Sequence, residues 1–89
     1  MKAVITVIGK DRVGIIYSVS NILAQANINI LDISQTIMQD IFTMIMLVDI
    51  SNSENNFVEI SDKLENLGKE LGLSIRIQHE DIFNSMHRI

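Results

Sequence analysis

Hydrophobic residues follow different spacings along the chain, and each spacing predicts a type of secondary structure. The run from Lys2 to Ile8 is rich in β-branched residues and stops at Gly9, which is typical of a strand buried on both faces. From Val13 to Ala26 the apolar residues recur every three or four positions, which indicates one face of a helix. The chain therefore begins with a strand that leads directly into a helix.

Two β-rich runs, Ile28 to Met38 and Ile41 to Ile50, occupy the middle of the chain. Only Gln39 and Asp40 separate them, and a two-residue separation is typical of a β-hairpin. Met fills irregular spaces in protein interiors, so we expect the methionines of this region to lie in the core. These methionines are Met38, Met44 and Met46.

The last third of the chain predicts a helix, a strand and a tail. Helical spacing extends from Phe57 to Leu71, with Ser53 or Asn55 as the expected cap and Gly72 at the expected end. From Leu73 to His79 apolar and polar residues alternate, as in a strand with one buried face. Residues 81–89 form a short helical tail in this interpretation, because its apolar residues share one side. These residues are Ile82, Phe83, Met86 and Ile89.

The predicted order βαββαβ is that of an α+β, ferredoxin-like domain, with two helices on one face of a four-stranded antiparallel sheet. We assign residues 1–89 to this single domain and its tail. The second strand then lies at a sheet edge, and it contains neither Pro nor Lys to block pairing. Two helices cover one face only, so the tail or a second subunit must cover the other. We expect a homo-oligomer through the second strand, with the open sheet face as a further candidate contact.

Composition narrows the possible functions of these 89 residues. The chain has no Cys, which excludes thiolate metal sites and nucleophilic thiols. Its formal net charge of -4 offers no basic surface for nucleic acid. The longest apolar run, Ile41 to Val48, is too short to span a membrane, and no signal peptide is evident. We therefore expect a cytoplasmic protein that binds neither nucleic acid nor membranes.

The segment from Gly9 to Ile15 joins the first strand to the first helix and is the best candidate for a binding site. A helix N-terminus presents free N–H groups, and Gly14 has no Cβ to block the approach of an anion. A purely structural alternative is that Asp11 caps the helix while Gly9 and Gly14 serve the turn and the packing. The segment is not a nucleotide-binding loop, because Ile15 and Ile16 stand where Lys and Ser or Thr are required.

No pattern in the sequence predicts catalysis, a metal site or a cofactor. The polar residues near the end, His79, Glu80, Asp81 and His87, have no recognised ligand spacing. The serines and aspartates are scattered and form no arrangement typical of a triad or a carboxylate pair. We therefore expect a protein that is not an enzyme.

Several motifs together resemble the ACT domain, a small amino-acid-sensing module, over the whole chain. Gly9-x-Asp11-x-x-Gly14-Ile15 is followed by the motif that runs from Ala26 to Ile30. The motif from Asp32 to Thr36 and the ending from His79 to Ile89 are similar to small stand-alone ACT proteins without an attached enzyme. One departure is Val13, which stands where the motif often has Pro.

This resemblance implies that two domains pair through the second strand and bind a ligand, often an amino acid, between them. Carried over, one subunit contributes the first loop and its neighbour contributes the second strand. The ligand-binding residues are then Asp11, Val13, Gly14, Ile15, Asn27, Asn29 and Ile30. We further expect that Gly14→Val abolishes binding at little cost to the helix, because Val is no worse than Gly in helix propensity.

Two functions compete at this stage. The first is a non-catalytic, regulatory sensor of an amino acid or similar small carboxylate, which passes its occupancy to a protein partner. The second is an assembly module that binds another protein and no small ligand. Ligand-induced stabilisation separates them, because only the sensor has a ligand that binds the folded state.

Overall fold

The computed structural model describes residues 1–10 and 14–81. The elements follow in the order β1 (Lys2–Lys10), α1 (Ile15–Gln25), β2 (Asn29–Met38), β3 (Ile41–Asp49), α2 (Phe57–Leu71) and β4 (Ser74–His79). The four strands form one antiparallel sheet in the order β2-β3-β1-β4. The predicted ferredoxin-like fold is thus confirmed, whereas the apolar stripe of the predicted tail, residues 82–89, lies outside the described residues.

The core lies between the sheet and the two helices. Side chains of β1, β3 and β4 that point to the helix side alternate with outward ones, as the strand period of two requires. The helices cover this side of the sheet with buried side chains, which are Val19 and Leu23 of α1 and Ile60 and Leu64 of α2. The strands contribute Ala3, Ile5, Val7, Phe42, Met44, Met46, Val48, Ile75 and Ile77.

The opposite side of the sheet, which we call the open face, has neither α1 nor α2 packed on it. Ile8, Ile41 and Ile45 lie there and are 45%, 51% and 39% exposed. The expectation that two helices leave an apolar sheet face uncovered is confirmed for these residues.

The β2 strand forms an edge of the sheet, as predicted, and all ten of its residues are exposed. Its register with β3 shifts at Leu31, between the pairs Ile30–Val48 and Asp32–Leu47. The core assignment is confirmed for Met44 and Met46, both fully buried, and is wrong for Met38, which is 69% exposed. Met38 is exposed because it ends an edge strand and lies on the open face, opposite Ile41.

The start of α2 at Phe57 agrees with the sequence pattern, whereas the caps of both helices differ from those expected. The N-cap of α1 is Gly14 and its first residue is Ile15, so the helix begins after Val13 and the alternative N-cap, Asp11, is not the N-cap; Asp11 and Val13 lie outside the described residues. The N-cap of α2 is Asn56, whose side chain accepts from the Glu59 N–H at 2.9 Å. Ser53 is not that cap, because its hydroxyl accepts from Asn55 instead. Neither is Asn55, whose amide donates to the Glu59 carboxylate.

The end of α2 is confirmed at Gly72, which has a φ of 72° and donates its N–H to Gly68. Gly68 is buried where α2 meets the start of β4, and a Cβ added there would lie 2.8 Å from the Leu73 carbonyl oxygen. Within residues 1–10 and 14–81, no helix is long and apolar enough to cross a membrane.

Candidate ligand-binding site at the start of α1

A cavity of about 300 Å³ lies between the first turn of α1 and the second half of β2. The helix contributes its N-cap and first turn, β2 contributes one amide and one aliphatic side chain, and β3 contributes an aromatic ring. The described lining residues are Gly14, Ile15, Ile16, Tyr17, Gln35, Ile37 and Phe42. The cavity is therefore a cleft between elements that are far apart in sequence.

The pairing of β2 with β3 explains which β2 side chains line this cleft. Gln35 pairs with Met44 and Ile37 pairs with Phe42, and both partners point into the helix-side core. Directly opposed residues of an antiparallel pair share a face, so Gln35 and Ile37 point to the same side. Both remain exposed because β2 extends beyond the helices at the sheet edge.

The beginning of α1 supplies backbone donors to the cleft. The first intrahelical hydrogen bond runs from the Ser18 N–H to the Gly14 carbonyl at 2.9 Å. The N–H groups of Ile15, Ile16 and Tyr17 precede it and have no partner within the helix. Gly14 provides no side-chain cap, and the first turn has no acidic residue. A carboxylate near this terminus would meet free donors and the positive end of the helix dipole.

The predicted ligand-binding residues fall into three groups. Asp11 and Val13 lie outside the described residues, whereas Gly14 and Ile15 line the cleft. Asn27, Asn29 and Ile30 follow the other end of α1. The eleven residues of α1 separate this last group from Gly14 and Ile15 by about 16 Å along the helix axis. One chain therefore does not bring the two groups together.

Asn27 has a structural contact of its own. Its φ is 60°, in the left-handed region that Asn tolerates better than most residues. The Asn27 side-chain amide donates to the Asn52 carbonyl at 3.1 Å and so ties the end of α1 to the loop before α2.

Sequence reasoning missed Gln35, Ile37, Tyr17 and Phe42 as neighbours of Gly14. Gln35 stands inside the motif from Asp32 to Thr36, which supported the family resemblance but gave the residue no role. The available signal was the alternation of β2, which places Gln35 and Ile37 on one face. It could not show that this face meets the start of α1.

The remaining polar groups of note lie away from the cleft. His79 stacks on Phe57 with ring centroids 4.2 Å apart, at the end of β4. Among the described residues, no cluster of three His, Cys, Asp or Glu could hold a metal ion.

Asp49, at the end of β3, accepts hydrogen bonds from the Ser51 N–H at 2.9 Å and the Ser51 hydroxyl at 2.6 Å. Its carboxylate also lies 3.5 Å from the Met1 amino group. The hydrogen bonds from Ser51 are the main reason that the pKa of Asp49 lies below its usual value of 3.8.

Comparisons with known proteins agree on one family. The model of the ACT domain matches residues 2–78. A UPF0237 protein of Clostridium acetobutylicum is 64% identical over 89 residues, which is the full length of both chains. A solved ACT domain protein from Streptococcus pneumoniae superimposes with a TM-score of 0.81 at 42% identity, covering 93% of each chain. The ligand-free regulatory subunit of aspartate kinase from Thermus thermophilus has a TM-score of 0.67 at 25% identity, over 86% of this chain and 50% of that one.

Proposed function

Because this chain belongs to the ACT domain family, we propose that it is a non-catalytic regulatory sensor, a cytoplasmic homodimer that binds a small amino-acid-like ligand. The observation that carries this proposal is the cleft at the start of α1. The backbone N–H groups of Ile16 and Tyr17, which have no partner within the helix, and the Gln35 side chain line a space large enough for a small metabolite. An α-amino acid suits this combination, since its carboxylate accepts from N–H groups and Gln35 can bind either α-group.

The exposed edge of β2 supports a dimer. An edge strand presents unpaired N–H and C=O groups, and β2 has apolar side chains on it that a solvated edge does not need. Antiparallel pairing of two β2 strands brings the beginning of one strand beside the end of the other. Asn29 and Ile30 of a second copy then come beside Ile37 and the cleft.

This pairing makes the predicted site a composite of two copies. One copy contributes Gly14 and Ile15, together with Asp11 and Val13 of the preceding loop. The second copy contributes Asn29 and Ile30, with Asn27 nearby at the beginning of its β2. The separation of about 16 Å within one chain is consistent with this arrangement, because each half of the site comes from a different subunit.

A regulatory role also agrees with the aspartate kinase relative, which is itself a regulatory subunit. In our proposal the ligand favours one state of the dimer, and a partner protein distinguishes that state from the other. Such coupling requires different ligand affinities for the two states.

A screen of the twenty amino acids by thermal unfolding tests the proposal on the full chain. A ligand at 100 times its Kd adds about 2.7 kcal/mol to the free energy of unfolding, and hits are then measured by calorimetry. Gly14→Asn should abolish the binding heat, because Asn tolerates a positive φ but places a side chain at the mouth of the cleft.

Gly72→Asn is the matched control for that variant. Gly72 also has a positive φ and open space around its Cβ position, but it ends α2 and does not line the cleft. The Gly72→Asn protein should bind the ligand with the wild-type affinity. Equal binding by the Gly14→Asn and wild-type proteins would place the site elsewhere.

The second candidate function is an assembly module with no small ligand. The exposed Ile8, Ile41 and Ile45 of the open face favour it, since an uncovered apolar sheet face is typical of a protein contact. The same screen distinguishes the two functions. If no amino acid stabilises the chain, and if its Ile45→Lys variant no longer binds a protein partner, the chain is an assembly module.

A further inference from the structure

One end of the open face is buried although neither α1 nor α2 packs on it. Val4 lies there, because its neighbours Ala3 and Ile5 point into the helix-side core, and it is only 5% exposed. Ile8 lies on the same face of β1 and is 45% exposed. Side chains of adjacent strands lie beside Val4 and not above it, so a group above the sheet is needed to bury it.

The same gradient of exposure runs along β3. Leu47 pairs with Val4 and is half-buried, whereas Ile45, two residues earlier on the same face, is 39% exposed. The buried end of the open face is thus the end with Val4 and Leu47, and the exposed end carries Ile8 and Ile45. The group that covers Val4 therefore crosses the strands at one end of the sheet.

The chain leaves the sheet at this buried end. The last residue of β4, His79, pairs with Ala3, the residue before Val4. A helical turn begins directly afterwards at Glu80 and Asp81, and eight residues, 82–89, follow it. A helix of eight residues is about 12 Å long, and β4 and β3 lie about 10 Å apart with β1 between them. The segment is therefore long enough to cross from β4 to β3.

From these observations we infer that the tail, residues 82–89, packs over Val4 and Leu47 of its own chain and covers this end of the open face. Apolar residues recur in the tail with helical spacing, so one side of a helix can bury them against the sheet. These residues are Ile82, Phe83, Met86 and Ile89. The inference is independent of the proposed function, and it leaves the exposed end, with Ile8 and Ile45, available to a protein partner.

Cysteine labelling of the full chain tests this inference, because the wild type contains no Cys and each variant carries a single thiol. Val4→Cys should react with a maleimide at least about tenfold more slowly than Ile8→Cys, since a covered thiol reacts only after local opening. Adding Met86→Asp to Val4→Cys should remove most of this protection, because a charge in the apolar stripe disfavours burial of the tail.

Asn84→Asp is the matched control for Met86→Asp. It adds the same charge two residues earlier, on the opposite side of a helical tail. It should change the labelling rate of Val4→Cys by no more than about twofold, as is usual for surface substitutions. Circular dichroism checks that each variant is folded, and Met86→Gln replaces Met86→Asp if the charged variant is not.

Three results would overturn the inference. If Val4→Cys reacts as fast as Ile8→Cys, nothing covers Val4. If Met86→Asp leaves Val4→Cys protected, or if Asn84→Asp exposes it equally, the apolar stripe of the tail is not the cover. If the protection is lost on dilution to a concentration at which the protein sediments as a monomer, a second copy covers Val4.

Discussion

At the scale of single residues, Gly14 is required for its backbone conformation. Its φ is 88°, in the left-handed region that L side chains rarely adopt, and a Cβ added there would meet nothing within 4 Å. Helix propensity does not determine the cost of replacing Gly14, because Gly14 is the N-cap and precedes the first residue of α1. The helix-propensity argument for a small cost of Gly14→Val therefore does not apply at this position.

We predict that Gly14→Val lowers the free energy of unfolding by about 1–3 kcal/mol, the cost of holding a β-branched residue at such a φ. Gly14→Asn should lower it less, since Asn tolerates this region. Urea denaturation of both variants provides the measurement. Gly72→Val, at a φ of 72°, should show a comparable loss. A Gly14→Val protein as stable as the wild type would contradict the argument.

Asp49 gives the molecule an acid-sensitive contact. Hydrogen bonds from Ser51 lower its pKa in the folded state below the value of 3.8 that applies to the unfolded chain. Its contribution to stability is then complete above the unfolded-state pKa and is lost as the pH falls through the folded-state pKa.

We predict that the stability difference between the wild type and Asp49→Asn is constant near neutral pH and shrinks as the pH falls below about 4. Urea denaturation at several pH values measures it. Ser51→Ala should reduce the pH-dependent part, because it removes the hydroxyl that donates at 2.6 Å. A difference that does not change with pH would show that the Ser51 contacts do not favour the charged form of Asp49.

At the scale of elements, the two helices begin in different ways. The N-terminus of α2 is satisfied by a capping box, in which the Asn56 side chain accepts from the Glu59 N–H and Glu59 accepts from the Asn56 N–H. The N-terminus of α1 has no side-chain cap at Gly14 and no acidic residue in its first turn. The helix without a capping box is the one beside the cleft.

We predict that Asn56→Ala lowers the free energy of unfolding by about 1 kcal/mol, the usual cost of losing an N-cap. Asn55→Ala should cost less, because the Asn55 amide only donates to the exposed Glu59 carboxylate at 3.3 Å. Thermal or urea denaturation compares the two variants. If Asn55→Ala is the more destabilising, the N-cap is assigned to the wrong residue.

At the scale of the whole molecule, the two edges of the sheet are unlike. The β4 edge is six residues long, whereas β2 is ten residues long and carries exposed Ile30, Ile33 and Ile37, with Asp32 as its one charged residue. Short edges resist pairing, whereas long edges with several exposed apolar residues invite it. The β2 edge is therefore where we expect a second copy to bind.

We predict that Ile33→Lys weakens or abolishes the dimer, since two-fold pairing of β2 brings two such charges close together. Sedimentation at micromolar concentration reports the change in mass. Val58→Lys also replaces an exposed aliphatic residue, 65% exposed on α2, and should leave the mass unchanged. A wild type that sediments as a 10.0 kDa monomer would contradict the dimer itself.

The sequence by itself determined the elements, their order and the fold class. Hydrophobic periodicity is a local property, so residues such as Ile5, Leu23 and Leu64 reveal their buried faces without knowledge of the rest of the chain. The two-residue turn at Gln39 and Asp40 and the end of α2 at Gly72 are equally local. The family resemblance was carried by motifs that the chain shows directly, and the comparisons confirm it.

Only the tertiary structure decided how far the sheet extends beyond the helices. That extent opens the cleft that joins Gly14 to Gln35 and Ile37. The tertiary structure also places Met38 at the end of an edge strand and on the open face, where it is exposed although its residue type favours a core. Periodicity shows which residues of an element share a face, but the neighbour of that face depends on strand register and helix placement. Gly14 and Gln35 lie in separate elements, and their proximity follows from packing that no local spacing contains.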